Sequence, residues 1–99
     1  MTHTIVGQYN TGIVTIDGKL LSPVPSQKVY NHSPDGFMWG YSGSGPAQLA
    51  LAIMLAYTTE EIAVEIYQDF KDEVIATIPQ KDFEIKLDIE RWIKGKRFA

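Results

Sequence analysis

The sequence predicts an α+β fold: an N-terminal antiparallel β-meander packed on a helical hairpin, followed by a short C-terminal strand and helix. Three observations predict it. Short β-branched runs separated by turn residues fill the first twenty-one positions, an apolar and then an amphipathic segment of helical period fill the middle, and an alternating run precedes a last helical stretch. With 99 residues, 44% hydrophobic and 21% charged, the chain suits one domain over 1–99 with a single small core.

Thr4–Tyr9 and Ile13–Ile16 flank Asn10-Thr11-Gly12 and read as a hairpin. Asp17-Gly18 is a second turn signal, and Lys19–Leu21 returns as a third strand before Pro23 and Pro25 end the pairing. Residues 22–36 carry three prolines, three serines, Asn31, Asp35 and Gly36 and read mostly as surface loop, extended at Lys28–Tyr30. Phe37–Tyr41 alternates like a strand, with Phe37, Trp39 and Tyr41 on one face. Ser42–Gly45 breaks that pattern, and Pro46 suits the first turn of a helix running to Tyr57, apolar nearly all round and hence buried on most sides. Thr58 and Glu61 have capping-box spacing for a second, amphipathic helix through Ile62, Ile66, Phe70 and Val74 to Ile78, where Pro79 ends it. Phe83–Leu87 has the period of a half-buried strand; Asp88 then caps a short helix that Gly95 is expected to stop, leaving Lys96–Ala99 as a mobile tail.

Net charge is −3, and residues 1–58 balance Lys19 and Lys28 against Asp17 and Asp35, so the excess acid lies in the second half. Bulk charge therefore disfavours a nucleic-acid polymer as partner. The absence of cysteine removes disulfides, thiolate metal sites and cysteine nucleophiles. Two histidines without metal-ligand spacing give no zinc motif, and no metal or cofactor is expected. The eight-residue apolar run Leu49–Ala56 falls well short of the about 20 residues of a membrane span. Met1–Thr4 lacks the basic start of a signal peptide, so the expectation is a cytoplasmic protein with no membrane partner.

From Met38 to Trp92 the chain resembles an uncharacterised domain-of-unknown-function family of small prokaryotic and phage proteins. The resemblance rests on Trp39-Gly40-Tyr41, Gly43-Ser44-Gly45-Pro46-Ala47-Gln48-Leu49-Ala50, Tyr67-Gln68-Asp69-Phe70-Lys71 and Trp92. Ser42, or its neighbour, stands where that pattern usually has glycine. The family implies a setting, a host cytoplasm if phage-encoded, and no chemistry.

The Ser42-Gly43-Ser44-Gly45 turn puts free backbone N–H groups and the positive end of a helix at one point, with two hydroxyls beside it. Gln48, about one turn in, and His32, on a polar loop, are candidates to reach the same point; Trp39 and Tyr41 stand where they can stack on a planar ligand. Each has a plainer use: glycine and proline as helix-start punctuation, the aromatics as core, His32 as a solvated loop residue. The turn is neither a P-loop nor a dinucleotide fingerprint. Ser42 or Ser44 with His32 and Asp35 lacks the nucleophile elbow of a hydrolase, so no catalytic residue is assigned.

The functional expectation is a non-catalytic protein binding a phosphate-bearing, nucleotide-like molecule through His32, Trp39, Tyr41, Ser42, Gly43, Ser44, Gly45 and Gln48; in a phage setting this would sequester a nucleotide signal. The alternative is an interaction or self-assembly module, built on Pro46–Ala56 or Ile62–Ile78, with no small ligand. A small core favours a homodimer or higher homo-oligomer under both. The acidic residues of 60–73 read as the solvated face of the long helix; the like-charge pairs Glu61/Glu65 and Asp69/Glu73, spaced i,i+4, leave room for a basic partner as the alternative.

Overall fold

A computed structural model describes residues 1–98. Among them are four strands, β1 (His3–Gln8), β2 (Ile13–Ile16), β3 (Lys19–Leu20) and β4 (Phe83–Leu87), and four α-helices, α1 (Val24–Val29), α2 (Ser44–Tyr57), α3 (Glu60–Glu73) and α4 (Ile89–Phe98), with a 3₁₀ turn at Ile75–Thr77. The fold is α+β, as the periodicities require. The sheet is antiparallel in the order β3-β2-β1-β4, so the C-terminal strand completes the N-terminal meander.

Turn chemistry sets the meander. Gly12, at φ 71°, closes the first hairpin by donating its N–H to Gln8 O at 2.8 Å. Asp17 and Gly18 both have positive φ (53° and 80°), the requirement of a two-residue turn whose twist matches the strands it joins. On the inner face Ile5, Val14, Ile16 and Phe83 are buried. Gly7 is bare on that face: a Cβ there would strike the Phe83 ring and come within 2.9 Å of Trp39 Cη2.

The central element is α2, buried continuously from Gly45 to Met54, as expected of a helix without a polar face. By contrast α3 buries only Ala63, Ile66, Tyr67 and Phe70. Its cap falls one residue later than the capping-box spacing suggests: Thr59, not Thr58, accepts from Ile62 N at 3.3 Å. Nor is it continuous to Ile78. The chain leaves the helix at Val74 (φ −122°, ψ −61°) and tightens into the 3₁₀ turn, because Pro79 bars a helical conformation at Ile78. The Ile75 carbonyl accepts both from Ile78 N at 3.4 Å, within that turn, and from Gly40 N at 3.1 Å.

Three further expectations are corrected. Of Lys28–Tyr30 only Tyr30 is extended, as Lys28 and Val29 close a helix; Pro23 and Pro25 start this α1, where missing N–H groups cost nothing, and Ser26 is fully buried. Phe37–Tyr41 forms no strand, since Gly40 turns to φ 87° and the segment lies against residues 75–80, where a Cβ on Gly40 would meet Ile78 O at 2.7 Å. Gly95 does not stop α4, which continues through Lys96 and Arg97 to Phe98. Ala99, the end of the expected mobile tail, lies outside the described residues. Past Gly95 the last turn of α4 lies against the acidic side of α3: Lys96 pairs with Glu73 and, at 3.8 Å, with Asp69, and Arg97 Nη1 donates to Glu65 at 2.6 Å. Trp92 seals this joint edge-on to Phe70, ring centroids 4.8 Å apart.

Candidate functional site

At the start of α2 the N-cap Gly43 is extended and supplies no side chain to cap the helix, and Pro46 has no N–H. Among the described residues no hydrogen bond takes up the N–H groups of Ser44 or Gly45, while Ala47 N already donates to Gly43 O at 3.0 Å. Two backbone donors at the positive end of a fourteen-residue helix are thus left to solvent or a ligand. They open on a cleft of about 210 Å³ lined by Asn10, Thr11, Ser33, Asp35, Tyr41 and Ser44 among others. Tyr41, 42% exposed, folds its ring over the turn: a Cβ on Gly43 would lie 2.5 Å from its Cε2, and one on Gly45 would lie 3.2 Å from its hydroxyl and 2.6 Å from Met38 Cβ. The glycines are therefore demanded by packing of the turn, whatever binds in front of it.

A second, mainly apolar cleft of about 240 Å³ lies beside the first, sharing Thr11, Gly12, Asp35, Gly36 and Phe37 in its lining and adding Ile13, Leu20, Leu21, Ser22 and Pro23. Each is smaller than the roughly 300 Å³ at which ligand pockets begin.

The eight candidate residues do not all meet here. Tyr41, Ser44 and Gly45 line the cleft; Ser42 is exposed and Gly43 half-buried in the turn behind it. Trp39 is 0% exposed, its ring edge-on to Phe83 at 4.9 Å and its indole N–H donated to Lys81 O at 2.8 Å, so it has no face for a ligand. Gln48 is also wholly buried: its Oε1 accepts from Ser33 N at 2.9 Å, and its Nε2 donates to Ser26 Oγ at 2.8 Å and Tyr30 O at 3.0 Å. That orientation of the amide is forced, because Ser33 N can only donate and Tyr30 O can only accept. Gln48 therefore ties down residues 26–33, the last of which, Ser33, lines the cleft, instead of entering it. His32 turns toward α3, its Nε2 2.8 Å from the Tyr67 hydroxyl. Asp35 lies on the cleft, separated from His32 by that turn, so no serine–histidine–aspartate relay is assembled.

Sequence reasoning passed over His3. Its ring is buried beside Tyr57, with Nδ1 2.6 Å from Asp17 Oδ2 and Nε2 2.7 Å from Glu90 Oε1. The Asp17 hydrogen bond, opposed by desolvation and reinforced by Glu90, raises the imidazole above its ordinary value, favouring its charged form between the two carboxylates. With both ring nitrogens engaged and the carboxylates saturated from inside, the cluster fastens β1 to the β2–β3 turn and to α4. The signal available beforehand was the Asp17-Gly18 turn, which aims a carboxylate back across its hairpin.

Among the described residues no helix is long and apolar enough to cross a membrane. No curated protein and no solved structure matches the chain. A family profile does, over nearly its whole length and well beyond the segment that carries the tryptophan and glycine motifs: the chain belongs to DUF6166, a family of unknown function, with the match running from residue 5 to residue 95.

Proposed function

We propose that the chain is a non-catalytic binding protein whose cleft at the start of α2 takes a small, phosphate-bearing, nucleotide-like molecule. The observation that carries this reading is the pair of unengaged N–H groups, on Ser44 and Gly45, at a helix N-terminus beside an exposed hydroxyl and an exposed aromatic ring. The phosphate sits against Ser44. Tyr41 is the aromatic that takes a planar group, since Trp39 is enclosed. Asp35 disfavours a bare dianion and suits a ligand that also carries hydroxyl donors, as a ribose does. The apolar cleft on the other side of Phe37 offers further surface beside the turn.

Calorimetric titration against inorganic phosphate and a panel of nucleotides and cyclic nucleotides tests it. Binding of at least one nucleotide, stronger than that of phosphate and lost in Ser44→Asp, is expected. No binding across the panel, or binding indifferent to Ser44→Asp and Tyr41→Ala in folded protein, refutes it.

A role in self-assembly or partner binding without a small ligand is the second reading. The exposed apolar side chains of Ile13, Leu20 and Val24, 46%, 71% and 51% accessible, favour it. Burial of α2 leaves it little free face for such an interface, whereas the acidic side of α3, where Glu65, Asp69 and Glu73 pair with Arg97 and Lys96, stays about half exposed.

A further inference from the structure

The two edges of the sheet are unlike. β3 is two residues long and too short to template another strand, whereas β4 offers five residues with β1 on one side only. Which backbone groups of β4 are free follows from β1. Thr4 directs both of its groups toward β2, its N–H to Asp17 Oδ1 at 2.9 Å and its carbonyl to Asp17 N at 2.9 Å. Alternation along the strand then turns His3, Ile5 and Gly7 toward β4, where their partners are Leu87, Ile85 and Phe83. The N–H and C=O groups of Glu84 and Lys86 point away from β1, and among the described residues no hydrogen bond occupies them. Exposed edges of this kind are usually blunted by charged side chains, lysine above all, by proline, a bulge or an inward-pointing charge. β4 has no proline, bulge or inward charge; the charges it does carry, Glu84 and Lys86, lie on the exposed outer face with opposite signs, so they select which strand can pair instead of barring pairing, and Ile85 and Leu87 are only half-buried on the inner face.

We propose that β4 pairs antiparallel with β4 of a second copy, about a twofold axis at Ile85, joining two four-stranded sheets into one of eight. The outward-facing groups of Glu84 and Lys86 then exchange hydrogen bonds with those of Lys86 and Glu84 across the axis. Charge sets the register. Centred on Ile85, each Glu84 carboxylate faces a Lys86 ammonium twice over, and Ile85 meets its own copy on the apolar face. Centred on Glu84 or on Lys86, the pairing would set that residue against itself, like charge on like charge. A slip by one residue would turn the apolar side chains to the wrong face. The strand is thus complementary to itself in one register, the requirement of a twofold interface. It is independent of the ligand cleft, which is lined by no residue of β4. Two five-residue strands bury far less than the roughly 1,200 Å² of a durable complex, so the dimer forms and dissociates with concentration.

Sedimentation velocity on the full chain, from micromolar to millimolar, tests the proposal. A monomer–dimer transition is expected. Lys86→Pro removes one outward N–H without touching the β1 ladder and leaves a folded monomer throughout, foldedness being checked by circular dichroism. Glu84→Lys weakens association at least about tenfold, because both cross-axis pairs become repulsive. Glu84→Lys combined with Lys86→Glu restores it, since the exchanged strand is again complementary to itself. A monomer at every concentration, a dimer unaffected by Lys86→Pro, or a charge-exchanged chain that associates no better than Glu84→Lys overturns the proposal.

Discussion

Replacing Gln48 by methionine, a side chain of nearly the same length, should separate residues 26–33 from α2. The substitution leaves three polar atoms without their partner: Ser33 N, Tyr30 O and Ser26 Oγ. They do not suffer equally. Ser33 N–H loses its acceptor at a half-buried position, at about 1–3 kcal/mol. Tyr30 is 51% exposed, so water replaces the amide at its carbonyl for less, and the Ser26 hydroxyl keeps its donation to Pro23 O at 2.7 Å. The sum is about 2–3 kcal/mol, which at 4–8 °C per kcal/mol for a domain of this size lowers the melting temperature by roughly 10–20 °C. Gln48→Glu should be worse at neutral pH, since a carboxylate has no donor for Tyr30 O or Ser26 Oγ, and should partly recover in acid. Differential scanning calorimetry gives the first quantity, and amide exchange locates it: protection should fall over residues 26–36 and hold in α3. A Gln48→Met chain that melts within about 2 °C of the parent, with Ser33 N still protected, would refute the assignment of Gln48 as the tie.

Three other outcomes follow from the packing and the charges. Folded-state protonation of His3 lies above its ordinary 6.5, so its stabilising share is complete below pH 6.5 and fades as pH rises through the raised value; Asp17 and Glu90 are held below 3.8 and 4.5, so their share fades on acidification. The melting temperature should therefore peak between about pH 4.5 and 6.5 and fall on the alkaline side, and His3→Gln should flatten that limb in a pH series of melts. Gly7→Ala puts a methyl against Phe83 and 2.9 Å from Trp39, costing about 1–3 kcal/mol by overpacking, readable as a lower denaturant midpoint at unchanged slope. Trp92→Ala should cost far more stability than Arg97→Ala, because the indole packs on Phe70 while the guanidinium pairs with a Glu65 carboxylate that is 60% exposed; equal losses in urea melts would show the α3–α4 joint to be electrostatic.

The parts of this fold that could be read from residues are those whose cause is local. Period and turn chemistry place the meander, the wholly apolar α2 and the one-sided α3 within a few residues of their observed bounds. The failures share a different cause. Phe37, Trp39 and Tyr41 alternate in sequence, but alternation reports which side chains share a face and says nothing of a neighbouring strand; the segment instead spends its hydrogen bonds on Ile75 and Gln80. His3 looked peripheral because its partners lie 14 and 87 residues away. The like-charge pairs of α3 did register as an anomaly, and what they lacked was the address of their counter-charge, in the chain's own last turn.

The turn before α2 shows why composition left its use open. Gly43 and Gly45 are required by the ring of Tyr41 and by Met38, so they would be present with or without a ligand and cannot discriminate. Ser44 can. It is exposed, it is the first residue of α2, and its N–H is unengaged. An aspartate there adds negative charge where the helix dipole welcomes it, worth about 0.3–1 kcal/mol of stability, and in the same place repels an incoming phosphate. If the turn is punctuation alone, Ser44→Asp should melt higher and change nothing else. If the turn binds an anion, the same chain should melt higher when empty and fail to gain further from the nucleotide that stabilises the parent. The two uses thus predict the same shift without ligand and opposite shifts with it, a difference that loss-of-glycine variants, which disturb the packing under either use, do not offer.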